Sequence, residues 1–391
     1  MKIIIYLILL CIISFAAFAN DEKQQTVVST TNKLLVVQQQ YKEAEAAYYQ
    51  ARQSLPNTPE GNTNGQELWE QFEKKETNLF MAAVQLAKAN PKSGVGFSAL
   101  EWVINTVTGF ALMSGPPALE IMTSQYVENP KIGKVIAVLA YYLPEESNPS
   151  HAPAVALLSA VAEKNPDRTA RGQAALGLAW LAKRKFQQAE WEGKPDANEL
   201  AAQAEQAFES VLTNYPDCPN LRTVGARPPT ATLGGEAEPE LYELQHLRIG
   251  QNAPEIEGED LDGAAFKLSD YRGKVVLLVF WASWCGPCMA AVPHEKELVE
   301  RFKGKPFAVV GVSGDSSKTT ATKAVAGHQI SWRTFWDGVK GPGGPIAVAW
   351  NVRGWPTIYV LDQEGVIRHK NLLGKRLDDS LEKLVSAAEK Q

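Results

Sequence analysis

The sequence predicts a chain of two folded parts, a helical region followed by one α/β domain. Apolar residues recur at helical spacing from about 30 to 215, whereas short apolar runs alternate with amphipathic segments from 247 onward. Between them the chain is rich in Pro and Gly and poor in large apolar residues, which is typical of a linker. The predicted organisation is a leader over 1–19, a helical domain over 20–221, a linker over 222–246 and the α/β domain over 247–391.

The composition agrees with this organisation. A chain of 391 residues is longer than one typical domain, and 45% hydrophobic and 21% charged residues indicate a globular protein. The formal net charge of -5 gives no reason to expect nucleic acid or an anionic membrane surface as a partner.

The first 19 residues are typical of a secretory signal peptide. Lys2 is the positive n-region, 3–18 is apolar, and the Ala-Phe-Ala at 17–19 is a cleavage-type site before Asn20. The alternative is an uncleaved anchor, because the apolar run approaches a membrane-spanning length. Such an anchor would be the only membrane contact that we expect. The sequence thus predicts an exported protein, in the periplasm of a bacterium.

Start and stop signals order the helical region. A long amphipathic helix over 66–89 follows a Pro-, Asn- and Gly-rich loop and is stopped by Asn90-Pro91. Helix pairs that end in Asn-Pro or Tyr-Pro resemble tetratricopeptide-type hairpins, but no 34-residue repeat is found. The alternative is a plain helical bundle without a binding role. The other predicted helices lie over 33–54, between 99 and 142, and over 151–164, 168–185 and 196–214.

The second domain reads as alternating strands and helices. Its first long strand, 274–281, is continuously apolar, as in strands buried on both faces. A helix over 285–302 follows, with Pro293 as a kink. We expect an early hairpin near 261–268, strands over 307–312, 355–361 and 365–370, and helices over 316–328 and 377–389.

The motif Cys285-Gly286-Pro287-Cys288 lies at the junction of the first long strand and its helix. The amides and dipole of a helix N-terminus favour a thiolate over a thiol. Two thiols this close can form a reversible disulfide, so the motif predicts thiol–disulfide exchange. A structural zinc site would need four ligands, and the sequence offers no second Cys or His pair, so we expect no metal and no cofactor. Cys218 is expected to be an ordinary thiol, with an extra redox partner as the alternative.

Five segments carry a resemblance to a known family: GQNAP at 250–254, LSDYRGKVV at 268–276, FWASWCGPC at 280–288, VRGWPT at 352–357 and DQEG at 362–365. In this order they resemble the thioredoxin superfamily and, within it, the exported TlpA/ResA-like thiol–disulfide oxidoreductases of the AhpC/TSA type. The resemblance covers 247–391, implies a thioredoxin fold there and says nothing about 20–220.

The resemblance implies a role for each matching residue. Cys285 would attack a partner disulfide, and Cys288 would resolve the mixed disulfide. Pro356 would be a cis-proline facing the cysteines, and the backbone beside it would pair with a substrate strand. The implied substrate-binding residues are Trp284, Trp355, Gly286 and Pro287.

Two positions depart from the family pattern. Val279 stands where thioredoxin has a buried Asp, and Ala291 where ResA-like proteins have a Glu. A water or Glu295 could replace this proton acceptor, although Glu295 is more simply interpreted as a surface residue. His294 is likewise expected to be exposed and not catalytic.

The favoured function is an exported reductase that acts on protein disulfides or dithiols. By analogy with thioredoxin the potential would be near about -270 mV, which implies a membrane electron donor in an oxidising compartment. One alternative is a peroxiredoxin-type peroxidase, although Ala282 stands where that family has Thr. The other is a redox-inactive binding protein that docks a partner through its helical domain.

Overall fold

The computed structural model describes residues 2–107, 115–223 and 230–390, with 2–27 and 107 described by their backbone alone. The predicted signal peptide over 1–19 therefore lies outside the residues whose side chains are described. Within the part that was described, no helix has both the length and the apolar character needed to cross a membrane.

The chain divides into two compact units, and each unit is built from two separate segments of the sequence. The first comprises Met1–Lys185 and Thr213–Leu233, and the second comprises Phe186–Leu212 and Gly234–Gln391. The predicted order, a helical region before an α/β domain, is confirmed.

The first unit is helical. Its core includes Phe80, Leu100, Met122, Ile136 and Leu157, all fully buried. The helix predicted from 66 begins earlier, at Pro59, because the Thr58 hydroxyl accepts the N–H of Gly61 at 3.1 Å and caps it. The helices are α1 (Lys2–Gln53), α2 (Pro59–Ala89), α3 (Gly94–Val107), α4 (Gly115–Tyr126), α5 (Gly133–Tyr141), α6 (His151–Lys164) and most of α7 (Arg168–Glu192).

The second unit is a helix-flanked sheet with a small separate hairpin. The end of α7, most of α8 (Ala197–Asn214) and α9 (Leu233–His246) precede the sheet in sequence. The strands are β1 (Glu257–Glu259), β2 (Ala265–Lys267), β3 (Val275–Trp281), β4 (Phe307–Ser313), β5 (Thr334–Trp336), β6 (Thr357–Leu361) and β7 (Ile367–Lys370). The helices that follow α9 are α10 (Gly286–Arg301), α11 (Lys318–His328), α12 (Pro345–Ala349) and α13 (Gly374–Ala388).

The main sheet has the order β5-β4-β3-β6-β7, and β1 pairs with β2. Strands β4 and β5 run parallel to β3, whereas β6 is antiparallel to β3 and β7 is antiparallel to β6. This is the thioredoxin-like arrangement that the sequence predicts. Neither β5 nor α12 was expected, because segments of three and five residues are too short to show a periodicity.

Part of the segment predicted as a linker, 222–246, is helical in the structure. Helix α9 contains Pro239, and its buried apolar residues Leu233, Ala237 and Leu244 alternate with glutamates, so the sequence shows no clear helical pattern there. It belongs to the second unit from Gly234 onward. Its buried side chains include Glu236, Glu240 and Glu243, so polar contacts hold it in place.

Strand register brings three chain segments to one edge of the sheet. Trp281 at the end of β3 lies beside Ser313 at the end of β4, and Phe280 pairs with Thr357 at the start of β6. All seven residues of β3 are buried, with alternate side chains entering the cores on opposite faces of the sheet. The loops after β3 and β4 and the loop before β6 therefore meet at this edge.

Candidate active site

The two cysteines of the motif lie where β3 passes into α10. Cys285 is the N-cap of α10, and its Sγ accepts the backbone N–H of Cys288 at 3.1 Å. The two residues are joined by a disulfide, with their Cα atoms 5.2 Å apart. Gly286 and Pro287 are exposed between them, whereas Cys285 and Cys288 are only 5% and 3% exposed. A sulfur at this position receives N–H groups that stabilise negative charge.

Two tryptophans and a cis-proline lie at the same edge of the sheet. The ring centroids of Trp284 and Trp355 are 5.8 Å apart in an edge-to-face arrangement. Trp284 is 55% exposed, while Trp355 packs against the apolar cluster that contains both cysteines. The Trp355–Pro356 peptide is cis, as the resemblance implies. The exposed indole therefore presents an apolar surface close to the disulfide.

Asp315 is a buried carboxylate that the sequence analysis missed. It follows β4 and is 2% exposed. Its oxygens accept the N–H of Ser283 at 3.0 Å, the hydroxyl of Ser283 at 2.6 Å and the hydroxyl of Ser313 at 3.0 Å. Because Ser283 lies two residues before Cys285, this carboxylate fixes the turn that leads into α10. The only hint in the sequence is the Gly314-Asp315-Ser316 turn after a buried strand.

Gly314 allows the close approach of Trp355. Its N–H donates to the carbonyl of Trp281 at 2.8 Å, and a Cβ on Gly314 would overlap the Trp355 ring. A glycine is required because the indole occupies the space of a side chain. The loop before β6 is thereby packed against the end of β4.

Glu295 is buried, which corrects its interpretation as a surface residue. The buried positions of α10 are Cys288, Val292, Glu295 and Leu298, which share one helix face. Glu295 is 6% exposed, and burial raises the pKa of its carboxyl from 4.5 to about 7. Seven residues at about 1.5 Å each separate it from Cys288 along the helix axis, so the carboxyl is not in direct contact with that sulfur.

The remaining candidate groups are engaged elsewhere. His294 is partly buried and not exposed as expected, and its Nε2 lies 2.8 Å from Asp378 Oδ1. This contact joins α10 to α13. Cys218 is a buried free thiol of the first unit. Among the residues that the structure describes, no group of three or more His, Cys, Asp or Glu side chains is arranged to hold a metal ion.

Comparisons with known proteins match the same part of the chain. Residues 249–370 match the model of the AhpC/TSA family. The thiol-disulfide oxidoreductase ResA of Bacillus cereus is 28% identical over 138 residues, which cover 35% of this chain and 77% of that protein. The thioredoxin-like protein YneN of Bacillus subtilis is 36% identical over 122 residues, which cover 31% of this chain and 70% of that protein.

Among solved structures, the thioredoxin domain of a thiol-disulfide oxidoreductase from Bacteroides vulgatus is 33% identical, with a TM-score of 0.33. The alignment covers 35% of this chain and 98% of that domain. Three observations indicate the same family: the sheet order, the Cys-Gly-Pro-Cys motif at a helix N-terminus, and the sequence relatives. The chain therefore belongs to the AhpC/TSA family of the thioredoxin superfamily, as a ResA-like protein with a redox function.

Proposed function

We propose that this chain is an exported thiol–disulfide oxidoreductase that reduces protein disulfides through a Cys285–Cys288 cycle. The observation that carries the proposal is the position of Cys285 as the N-cap of α10, with its Sγ accepting the Cys288 N–H. A thiolate is the attacking species in exchange, and this environment favours it. The relatives named thiol-disulfide oxidoreductase support the same chemistry.

The proposed cycle moves two electrons to the partner. The Cys285 thiolate attacks one sulfur of the partner disulfide, so a mixed disulfide forms and the other partner sulfur leaves as a thiolate. Cys288 then loses its proton and attacks Cys285 Sγ, which forms the intramolecular disulfide and releases the second partner sulfur. The partner ends as a dithiol after protonation, and this chain ends oxidised.

Side chains around the motif would support each step. Asp315 fixes the turn before Cys285 through Ser283, so the nucleophile is held in one place. Trp284 and Trp355 offer apolar surface to the partner. A substrate strand would lie along the backbone before Pro356, since β6 begins only at Thr357.

The export and the electron donor are part of this proposal. The Ala-Phe-Ala at 17–19 supports cleavage before Asn20. Outside the cytosol a reducing dithiol needs a supply of electrons, for which we propose a membrane donor. N-terminal sequencing of the protein recovered from the periplasm should begin at Asn20. Recovery in the cytosol with Met1 retained would contradict export.

The activity is tested by reduction of insulin disulfides with dithiothreitol as electron source. We expect turnover by the wild type, none by Cys285→Ser, and a trapped mixed disulfide with Cys288→Ser. Hydrogen peroxide consumption is measured in parallel, and Cys218→Ser serves as a matched cysteine control that keeps full activity. Peroxide turnover without insulin reduction would favour the peroxidase, and turnover of neither substrate would favour a binding protein.

A further inference from the structure

Helix α9 carries three buried carboxylates on one face. Glu236, Glu240 and Glu243 recur at a spacing of four and three residues and are 2%, 6% and 7% exposed. Burial of a carboxylate is unfavourable unless a cation or a hydrogen-bond donor pairs with it. The residues that pair with these carboxylates are therefore held in place by α9. One partner is Lys370 of β7, which pairs with Glu243.

Two further residues that contact this face, Asn351 and Arg353, lie in the loop that precedes β6. Arg353 Nη2 lies 2.5 Å from Glu240 Oε1, and its Nη1 lies 3.6 Å from Glu236 Oε2. Its Nε–H donates to Asn351 Oδ1 at 2.8 Å, while Asn351 Nδ2 donates to Glu243 Oε2 at 2.6 Å. The planar guanidinium thus bridges two turns of α9 and the start of the loop, a geometry that a lysine ammonium cannot reproduce.

This network reaches the proposed substrate site within a few residues. Arg353 lies two residues before Trp355 and three before the cis-proline Pro356. In the described chain, no backbone N–H from 353 to 355 donates to a backbone carbonyl. The position of the loop therefore depends on side chains: Arg353 on α9 at one end, the Thr357 hydroxyl that donates to the Gly354 carbonyl at 2.8 Å, and the Trp355 ring packed on Gly314.

We propose that Arg353, held by the carboxylates of α9, is a positioning residue that sets the cis-proline loop for an extended polypeptide substrate. The inference rests on the proposed function, because it assigns a determinant of protein-substrate recognition to that site. A small disulfide needs only the sulfur of Cys285, whereas a polypeptide strand also needs the loop backbone in register. Arg353 should therefore matter for protein disulfides and not for small ones.

Three variants test whether Arg353 matters for protein disulfides and not for small ones. Arg353→Met removes the guanidinium and keeps most of the aliphatic stem. Arg353→Lys keeps the charge near Glu240 and guards against misfolding from unpaired carboxylates. Arg368→Met is the matched control, because Arg368 pairs with the buried Asp362 at 2.6 Å, just after β6 ends and so at the end of that strand opposite the loop before it.

We expect Arg353→Met to raise the KM for insulin about tenfold, because binding must then order loop backbone that Arg353 otherwise holds, at about the entropic cost of fixing one residue. Arg353→Lys should fall between the wild type and Arg353→Met. The kcat, the rate with a small aromatic disulfide, and the reduction potential should stay at wild-type values in both. Arg368→Met should leave all four quantities unchanged.

A second measurement monitors the environment of Trp355 in the loop, without any substrate. The chain is labelled with 5-fluorotryptophan, and the Trp355 resonance is assigned from the spectrum of Trp355→Phe. Arg353→Met should shift or broaden this ¹⁹F line, and Arg368→Met should not.

The outcomes separate this inference from the proposed function. An unchanged Trp355 line, or equal loss on protein and small disulfides, overturns the positioning role. A wild type that reduces no protein disulfide overturns both the proposed function and substrate positioning. A raised KM with an altered Trp355 line supports the inference.

Discussion

Replacing Glu295 by Gln should stabilise the protein above neutral pH and leave its stability unchanged below the pKa of the unfolded carboxyl. Burial raises the pKa of this carboxyl from 4.5 to about 7, so the folded protein holds the proton more tightly than the unfolded chain does. Below the unfolded value both states are protonated and the group has no effect on stability. As the pH rises through the window between the two values, the unfolded chain ionises first and the folded state loses stability.

The size of the effect follows from the shift. A rise of the pKa from 4.5 to about 7, at about 1.4 kcal/mol per pH unit, destabilises the folded state by about 3 kcal/mol above pH 7. Gln cannot ionise and has nearly the same shape as Glu, so Glu295→Gln should recover most of this lost stability. For a unit of this size the gain is about 6 to 12 °C in the melting temperature.

The assay is calorimetry of the oxidised protein near about pH 4 and near about pH 8.5, below and above the window between the two pKa values. The control is Glu297→Gln, which removes an exposed carboxylate from the same helix. We expect a gain for Glu295→Gln only at the higher pH, and no pH-dependent gain for Glu297→Gln. An equal effect at both pH values, or a loss at the higher pH, would refute desolvation as the cause and indicate a hydrogen-bonded carboxylate.

Three further substitutions probe the site. Asp315→Asn should slow the attack of Cys285 on insulin about tenfold, because an amide accepts fewer donors than a carboxylate and loosens the turn; an unchanged stopped-flow rate would contradict this. Ala291→Glu should speed resolution of the mixed disulfide by supplying the proton acceptor that the family has there, and an equal rate would mean that another group already acts. Trp284→Ala should lower turnover of insulin severalfold but not the reduction potential, since we propose that the exposed ring contacts the partner and does not act on the sulfurs. A shifted potential would assign the ring to the redox couple.

Local patterns predicted much of the fold. The stop at Asn90-Pro91 and the continuous apolar run of β3 are encoded within a few residues, and both agree with the structure. The start of α10 was also predictable, because a proline is tolerated in the first turn of a helix, and Pro287 lies there in the structure with Cys285 as the N-cap. Helix α9 was missed because three glutamates interrupt its buried apolar positions, and their ion-pair partners lie far along the chain.

The sequence by itself determined the chemistry of this protein, and the tertiary structure decided its surroundings. Cys285 and Cys288 are three residues apart, so one helical turn brings them together whatever the rest of the chain does. Asp315 reaches Ser283 across 32 residues, and Glu243 reaches Asn351 across 108. Such contacts exist only when strand register and helix packing bring distant segments together. The burial of Glu295 is decided in the same way, since its charge predicts a surface and only the packing of α10 encloses it.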